Sequence, residues 1–289
     1  MECELAWSGV DYIRLWLQPY EVRSLGGAEG VWVRALASAG VQEKTSRARR
    51  WRVAGLDGWL LHGVGVAENA DGNVLAQVAG PGAGDFLRKM CGQGRASRID
   101  LQVTVVPPVS RETALRAELA ALQEQARNWP HRGRAPRVWY VSSESLTVYS
   151  GRRSREGIML RVYDAEHVHG HEAGAYAGTI RYEAEASGRR AANAAEQIGA
   201  DQWTEAVVRD AVLAETNRRG CLLRLAEGEP KRIPPPPRAS ELSVEATLRW
   251  MRKQVRSSVL RLLEAGVPRT VVEEALGLDG RAPDAGSQT

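Results

Sequence analysis

Thr147-Val-Tyr-Ser-Gly-Arg-Arg-Ser154, Leu160-Arg-Val-Tyr-Asp164 and Ile180-Arg-Tyr-Glu-Ala-Glu185 decide the fold. Each is a short run rich in β-branched and aromatic residues, bounded by glycine or charge, and each reads as a strand. Successive side chains of a strand point to opposite faces, so Arg181, Glu183 and Glu185 share one face, and Tyr149 faces the same way as Thr147 and Gly151.

Working outward, period-two alternation places further strands at 10–17, 58–66, 74–79, 98–106, 137–141, 146–150, 158–163 and 178–186. Asn69-Ala-Asp-Gly-Asn73 is a hairpin connection, and Pro107-Pro108 halts the strand that carries Arg98, Asp100, Gln102 and Thr104 on its polar face. Helices are expected at 84–91, 189–198 and 201–218, and most clearly at 110–129, where Ser110 is the N-cap and Leu115, Leu119 and Leu122 line one side. The elements come in mixed order without tight βαβ repetition. The expected fold class is therefore α+β, a largely antiparallel mixed sheet packed by helices, with a small C-terminal helical appendage.

That order implies a main domain over 1–232 and a stiff spacer at 233–240 around Pro234 to Pro237. A helical segment at 241–279, with helices at 241–265 and 269–276, and a disordered tail at 280–289 follow. The chain of 289 residues is long enough for a full core, and its net charge of +4 is mildly basic. Of its 39 cationic side chains all but four are arginine, which suits bidentate phosphate contacts and equally reflects a base-composition bias. Cys3, Cys91 and Cys221 have no metal-ligand spacing and suggest a reducing compartment. No apolar run approaches the ~20 residues of a membrane span, so a soluble cytoplasmic protein without membrane contact is expected.

The chemistry these residues suggest is phosphodiester cleavage. A tyrosine beside guanidinium groups and carboxylates supplies a nucleophile, phosphate-holding donors and ligands for a hard divalent cation. A free phenol has a pKa of ~10, so attack near neutrality needs a cation to stabilise the phenolate. The same residues also fit an ordinary strand aromatic, a solvated arginine tip and surface Arg–Glu pairs, which contribute little stability. His167, His169 and His171 match a paired-histidine metal pattern, but their Glu- and Gly-rich surroundings read as a loop. Basic clusters at Lys44–Arg52, Arg132–Arg137 and Arg249–Arg256 fit phosphate contacts or solvated faces. Nothing resembles a phosphate-cradling Gly-x-x-x-x-Gly-Lys-Ser/Thr loop.

In order along the chain, Ser8-Gly-Val-Asp-Tyr12, Val78-Ala-Gly-Pro-Gly-Ala83, Arg98-Ile-Asp-Leu101, Val148-Tyr-Ser-Gly-Arg-Arg-Ser154, Leu160-Arg-Val-Tyr-Asp164, Arg181-Tyr-Glu-Ala-Glu185, Gly188-Arg-Arg-Ala191 and Leu248-Arg-Trp-Met-Arg-Lys-Gln-Val255 resemble the rolling-circle replication initiators of the Rep-trans type found in plasmids and phages. The resemblance implies origin-specific nicking by tyrosine transesterification, leaving a 5′-phosphotyrosyl link and a free 3′ hydroxyl. It implies Tyr149 as nucleophile and Tyr163 in reserve, with Arg152, Arg153 and Arg161 on phosphate. Asp100 and Glu183, assisted by Glu185, would hold Mg²⁺ or Mn²⁺. The implied partners are the double-strand origin, the nicked single strand, a second copy of the chain and a host helicase. Two departures bear on activity: Thr104 and Ala165 stand where the family often has an acid and a lysine. They keep open a sequence-specific DNA-binding regulator with reduced catalysis. The C-terminal apolar stripe also admits a structural protein that self-associates.

Overall fold

A computed structural model describes residues 1–41, 48–90, 92–130, 134–152, 157–169, 176–197, 205–226, 228, 230 and 256–275. The alternating segments form a sheet of eleven strands: β1 (Glu2–Leu17), β2 (Arg49–Val53), β3 (Leu56–Leu61), β4 (Val64–Glu68), β5 (Val74–Ala79), β6 (Arg95–Val106), β7 (Val138–Ser142), β8 (Leu146–Ser150), β9 (Ile158–Asp164), β10 (Ile180–Ser187) and β11 (Arg224–Leu225). Their spatial order is β2-β3-β4-β5-β1-β6-β10-β9-β8-β7, all antiparallel, with β11 joining β1 in parallel. The expected α+β class with largely antiparallel pairing is the observed one.

Among the described residues seven helices accompany the sheet in the first compact unit, Met1–Pro236: α1 (Pro19–Ser24), α2 (Gly27–Ser38), α3 (Ala83–Lys89), α4 (Arg111–Arg127), α5 (Ala165–His169), α6 (Arg189–Gln197) and α7 (Glu205–Arg219). Helix α4 starts where its cap signal lies, for the Ser110 side chain accepts a hydrogen bond from the Thr113 amide at 3.3 Å. α6 and α7 pack on β6, α7 also on β1 and β10, and α4 on β8 and β9. These strands send their apolar residues to the core: Ile99, Leu101, Val103 and Val105 from β6, Tyr182 and Ala184 from β10, Leu160 and Val162 from β9. The four β6 side chains are essentially inaccessible, and each is worth about 1.5–3 kcal/mol of transfer free energy. The alternate residues are necessarily turned away from that core, and they build the polar face described below.

The second unit, Pro237–Thr289, contains α8 (Arg256–Glu264) and α9 (Arg269–Ala275) among its described residues. Most of the helix expected at 241–265, the spacer at 233–240 and the tail at 280–289 lie outside the described residues.

Several elements differ from expectation. The run 58–66, expected as one strand, is two, because His62 and Gly63 adopt positive φ (46° and 80°) and form a two-residue turn that pairs Leu61 with Val64. Ala54 and Gly55 (49° and 81°) do the same between β2 and β3. Positive φ at both central positions matches the right-handed twist of antiparallel strands, which suits such turns to hairpins. β1 begins at Glu2 rather than at residue 10, and α1 and α2 fill a stretch in which no helix was expected. His167 and His169 lie on α5 rather than in a loop; the Asp164 carboxylate caps that turn by accepting from the His167 amide at 3.0 Å. His171 lies outside the described residues.

Candidate active site

Register decides which polar side chains meet. Tyr149 on β8 is directly opposite Arg161 on β9, Arg161 is opposite Glu183 on β10, and Glu183 is opposite Gln102 on β6. One row along, Glu185 is opposite Asp100, and Asp100 is opposite Tyr12 on β1. Opposed residues in an antiparallel sheet share a face, so Tyr149, Arg161, Glu183, Glu185 and Asp100 all project from the side away from α4, α6 and α7.

The Tyr149 ring is half-buried and lies flat against Trp139 of β7, with centroids 5.0 Å apart and planes 4° from parallel. Arg137 sits over the same indole at 5.9 Å. Trp139 was missed by the sequence reading. Reflecting the 143–145 turn through the β7–β8 hairpin would have found it, because a three-residue loop pairing Ser142 with Leu146 puts 139 opposite 149.

The carboxylates are buried, and each meets a guanidinium. Arg161 Nη2 donates to both Glu183 oxygens, at 2.6 and 2.5 Å, and its guanidinium lies over the Tyr163 ring at 4.8 Å. Arg98 donates to the two Asp100 oxygens at 2.8 and 2.5 Å, and its Nη2 is 3.1 Å from Glu185 Oε2. Arg181 is fully buried, donates to Thr104 Oγ1 at 3.1 Å and stands 3.4 Å from Asp11 Oδ1. A bulge in β1 between Val10 and Tyr12 lets Asp11 enter this cluster although its neighbour Tyr12 also faces it. With Arg14, which bonds Gln77 at 3.2 Å, the face carries among the described residues four guanidinium groups for the four carboxylates Asp11, Asp100, Glu183 and Glu185.

Burial penalises isolated charge here. It drives the Asp100 carboxyl up to about 8, an effect opposed by Arg98 and reinforced by Glu183 and Glu185. Asp11 moves in the same direction, chiefly through burial. The Tyr163 phenol is sealed beneath Arg161, its hydroxyl donates to Glu183 at 3.1 Å, and burial followed by the Glu183 charge raises its pKa well above the ordinary tyrosine value. That post opposes the reserve-nucleophile role expected for Tyr163, since an attacking oxygen must be accessible and able to shed its proton. Arg152 is exposed just past the end of β8, and Arg153 lies outside the described residues.

Among the described residues no three acidic, histidine or cysteine side chains already surround one point. Asp100 and Glu185 nevertheless converge on a single guanidinium nitrogen, so both can reach one cation, and their oxygens are the hard donors that Mg²⁺ and Mn²⁺ favour. Glu183 would join them only by leaving Arg161. The donor set therefore fits a divalent cation in exchange for arginine contacts. No helix of the described residues is long and apolar enough to cross a membrane.

No family model matches this chain, and no curated protein does so either. Among solved structures it is similar to the rolling circle replication initiator protein from Geobacillus stearothermophilus, at 15% sequence identity and a TM-score of 0.49, over 74% of this chain and 85% of that one.

Proposed function

We propose that this protein initiates rolling-circle DNA replication by nicking one strand of a double-strand origin. What supports this is the row Tyr149–Arg161–Glu183 on three adjoining strands of one sheet face, with Asp100 and Glu185 beside it. The order of motifs along the chain, from Ser8 to Val255, agrees with it.

In this mechanism the Tyr149 hydroxyl oxygen attacks the scissile phosphorus. An O–P bond forms to tyrosine as the bond to the 3′ oxygen breaks; the phenol loses its proton and the departing 3′ oxygen gains one. The energy of the broken linkage stays in the phosphotyrosine, so rejoining needs no nucleotide cofactor. Trp139 restrains the attacking ring by stacking. Arg152 is positioned by its exposure to hold a phosphate oxygen, and Arg161 does so on exchanging Glu183 for the substrate. A Mg²⁺ or Mn²⁺ ion on Asp100 and Glu185, joined by Glu183, would act as a Lewis acid toward charge developing on the phosphate oxygens. The partners of the reaction are the duplex origin, the nicked strand, a second copy of the chain and a host helicase that extends the opening.

The test is incubation of the full chain with supercoiled DNA carrying the origin, in Mg²⁺ or Mn²⁺. Open circles and a covalent protein–DNA adduct are expected, and Tyr149→Phe should give neither. Undiminished nicking by that variant rejects the assignment.

A second reading is favoured by one observation: Arg98 and Arg161 already pair with all three carboxylates, while Thr104 adds no further acid to the face. A DNA-binding regulator on the same fold would bind the origin tightly and form no covalent adduct in any metal.

A further inference from the structure

We infer that a cleft at the C-terminal end of β8 binds one nucleotide of single-stranded DNA. The cleft has a volume of about 260 Å³, and it lies where the ends of α4 and α7 meet the segments that enter β7 and β9. Its floor and walls include Trp129, Arg134, Gly151, Arg152, Arg218 and Arg219.

Two of these arginines hold the structure together. Arg219 donates to Glu215 at 2.7 Å, to Ser150 at 3.3 Å and to the Ile158 carbonyl at 2.7 Å. Arg218 pairs with Glu215 at 3.0 Å through Nε and lies over the Trp129 ring at 5.6 Å. Arg134 and Arg152 are different: both are exposed, both line the cleft, and no ion pair or hydrogen bond joins them to another side chain among the described residues. Gly151 closes the wall. A Cβ there would stand 2.8 Å from Arg219 and 2.9 Å from the Ile158 oxygen, at a φ of +120° that side chains rarely adopt.

The charge balance selects the ligand. Among the described residues four guanidinium groups face one carboxylate, Glu215, and the C-terminal ends of α4 and α7 each add roughly half a negative charge, leaving about +2 from these groups. That excess suits a phosphodiester, with Arg134 and Arg152 as the groups available to hold it. The Arg218–Trp129 pair supplies a flat cationic–aromatic platform on which any base can stack. At about 260 Å³ the cleft lies near the lower end of small-molecule pockets, roughly 300 Å³, a size closer to one nucleotide than to a base pair. Gly151 and Arg152 follow Tyr149 by two and three residues, and the cleft lies on the α4 and α7 side of the sheet, across from the face that carries the Tyr149 side chain.

That the bound strand is the nicked one rests on the nickase proposal; binding of a single strand does not. The experiment separates the two by measuring fluorescence anisotropy of a labelled single-stranded oligodeoxynucleotide and of a hairpin duplex with the full chain, in EDTA, across a salt series. Arg134→Ala should weaken single-strand binding about 3- to 10-fold and make the slope of log affinity against log salt shallower by about 0.7, as expected for one lost phosphate contact. Arg134→Lys should keep that slope, Trp129→Ala should cost about fivefold or more, and duplex affinity should stay within about twofold throughout. Parental single-strand affinity and slope in Arg134→Ala would overturn the inference, as would equal losses on single strand and duplex, which mark a general backbone contact. If Tyr149→Phe still nicks while Arg134→Ala loses single-strand binding, the cleft stands and the nickase falls. If Tyr149→Phe is inactive and Arg134→Ala binds like the parent, the reverse holds.

Discussion

Arg161→Ala is the substitution that most directly probes the polar face. Glu183 has a side-chain exposure of 1%, and both of its oxygens receive Arg161 Nη2, so truncating the arginine leaves a buried carboxylate with only the Tyr163 hydroxyl as a donor described for it. Breaking a buried pair from one side typically costs about 3–5 kcal/mol, because the surviving charge keeps its desolvation penalty. The retained Tyr163 bond argues for the lower part of that range. At about 2–4 °C per kcal/mol for a domain of this size, the melting temperature should fall by roughly 6–20 °C in metal-free buffer. Differential scanning fluorimetry measures it directly. Adding Glu183→Gln to Arg161→Ala should recover part of the loss, since the stranded charge is gone, and the double-mutant cycle should give a coupling of about 1–3 kcal/mol. Millimolar Mn²⁺ should raise the melting temperature of Arg161→Ala more than that of the parent, because the arginine no longer competes for Glu183. A variant melting within 2 °C of the parent, or a double variant whose loss equals the sum of the single ones, would refute the claim that this pair is energetically coupled.

Other outcomes follow from the same geometry. The Asp100 carboxyl is raised from 3.8 to about 8 by burial, so the folded state binds a proton more tightly than the unfolded one. Stability contributed by that proton is fully present below about pH 4 and is lost as pH climbs through 8; Asp100→Asn should therefore flatten the fall in melting temperature between pH 5 and 9, and an unchanged slope would contradict it. Gly151→Ala should destabilise by about 1–3 kcal/mol, since the added methyl meets Arg219 and the Ile158 carbonyl at a strained φ; chemical denaturation showing no loss would mean that the hairpin end relaxes freely.

How far the residues announced the structure depends on which physical rule governed each. Alternation fixed which residues share a face within a strand, Tyr149 with Thr147 and Arg181 with Glu183 and Glu185, whereas that Tyr149, Arg161 and Glu183 project from one side of the sheet follows only from the register. Asp100 and Glu185 meet because β6 neighbours β10, a tertiary fact that alternation leaves open. Asp11 escaped notice because a bulge, invisible to a period of two, admits it to the polar face. The His62-Gly63 turn hid within an apolar run, since histidine is not a habitual turn residue and only the positive φ at both positions breaks the strand. The expected metal ligands came together with arginines between them, and a pattern of residue types cannot state which of two cations a carboxylate will hold. Arg152 was legible as an exposed cation, but Arg134, Arg218 and Trp129 gather around it only through the packing of α4 and α7.

The position of β1 has a consequence for how the chain matures. It precedes the other strands of this sheet along the chain and lies near the middle of the sheet, with β5 on one flank, β6 on the other and β11 beside its first residues. A ribosome that has released the chain only as far as residue 90 can therefore offer β1 its β5 neighbour but not β6, and the acidic row on β10 arrives later still. Long-range pairings of this kind slow folding, because the intervening loop must be closed before any contact rewards it. The polar face thus takes shape only after most of the first unit has been synthesised, and chaperone protection of the waiting strand matters most during that interval.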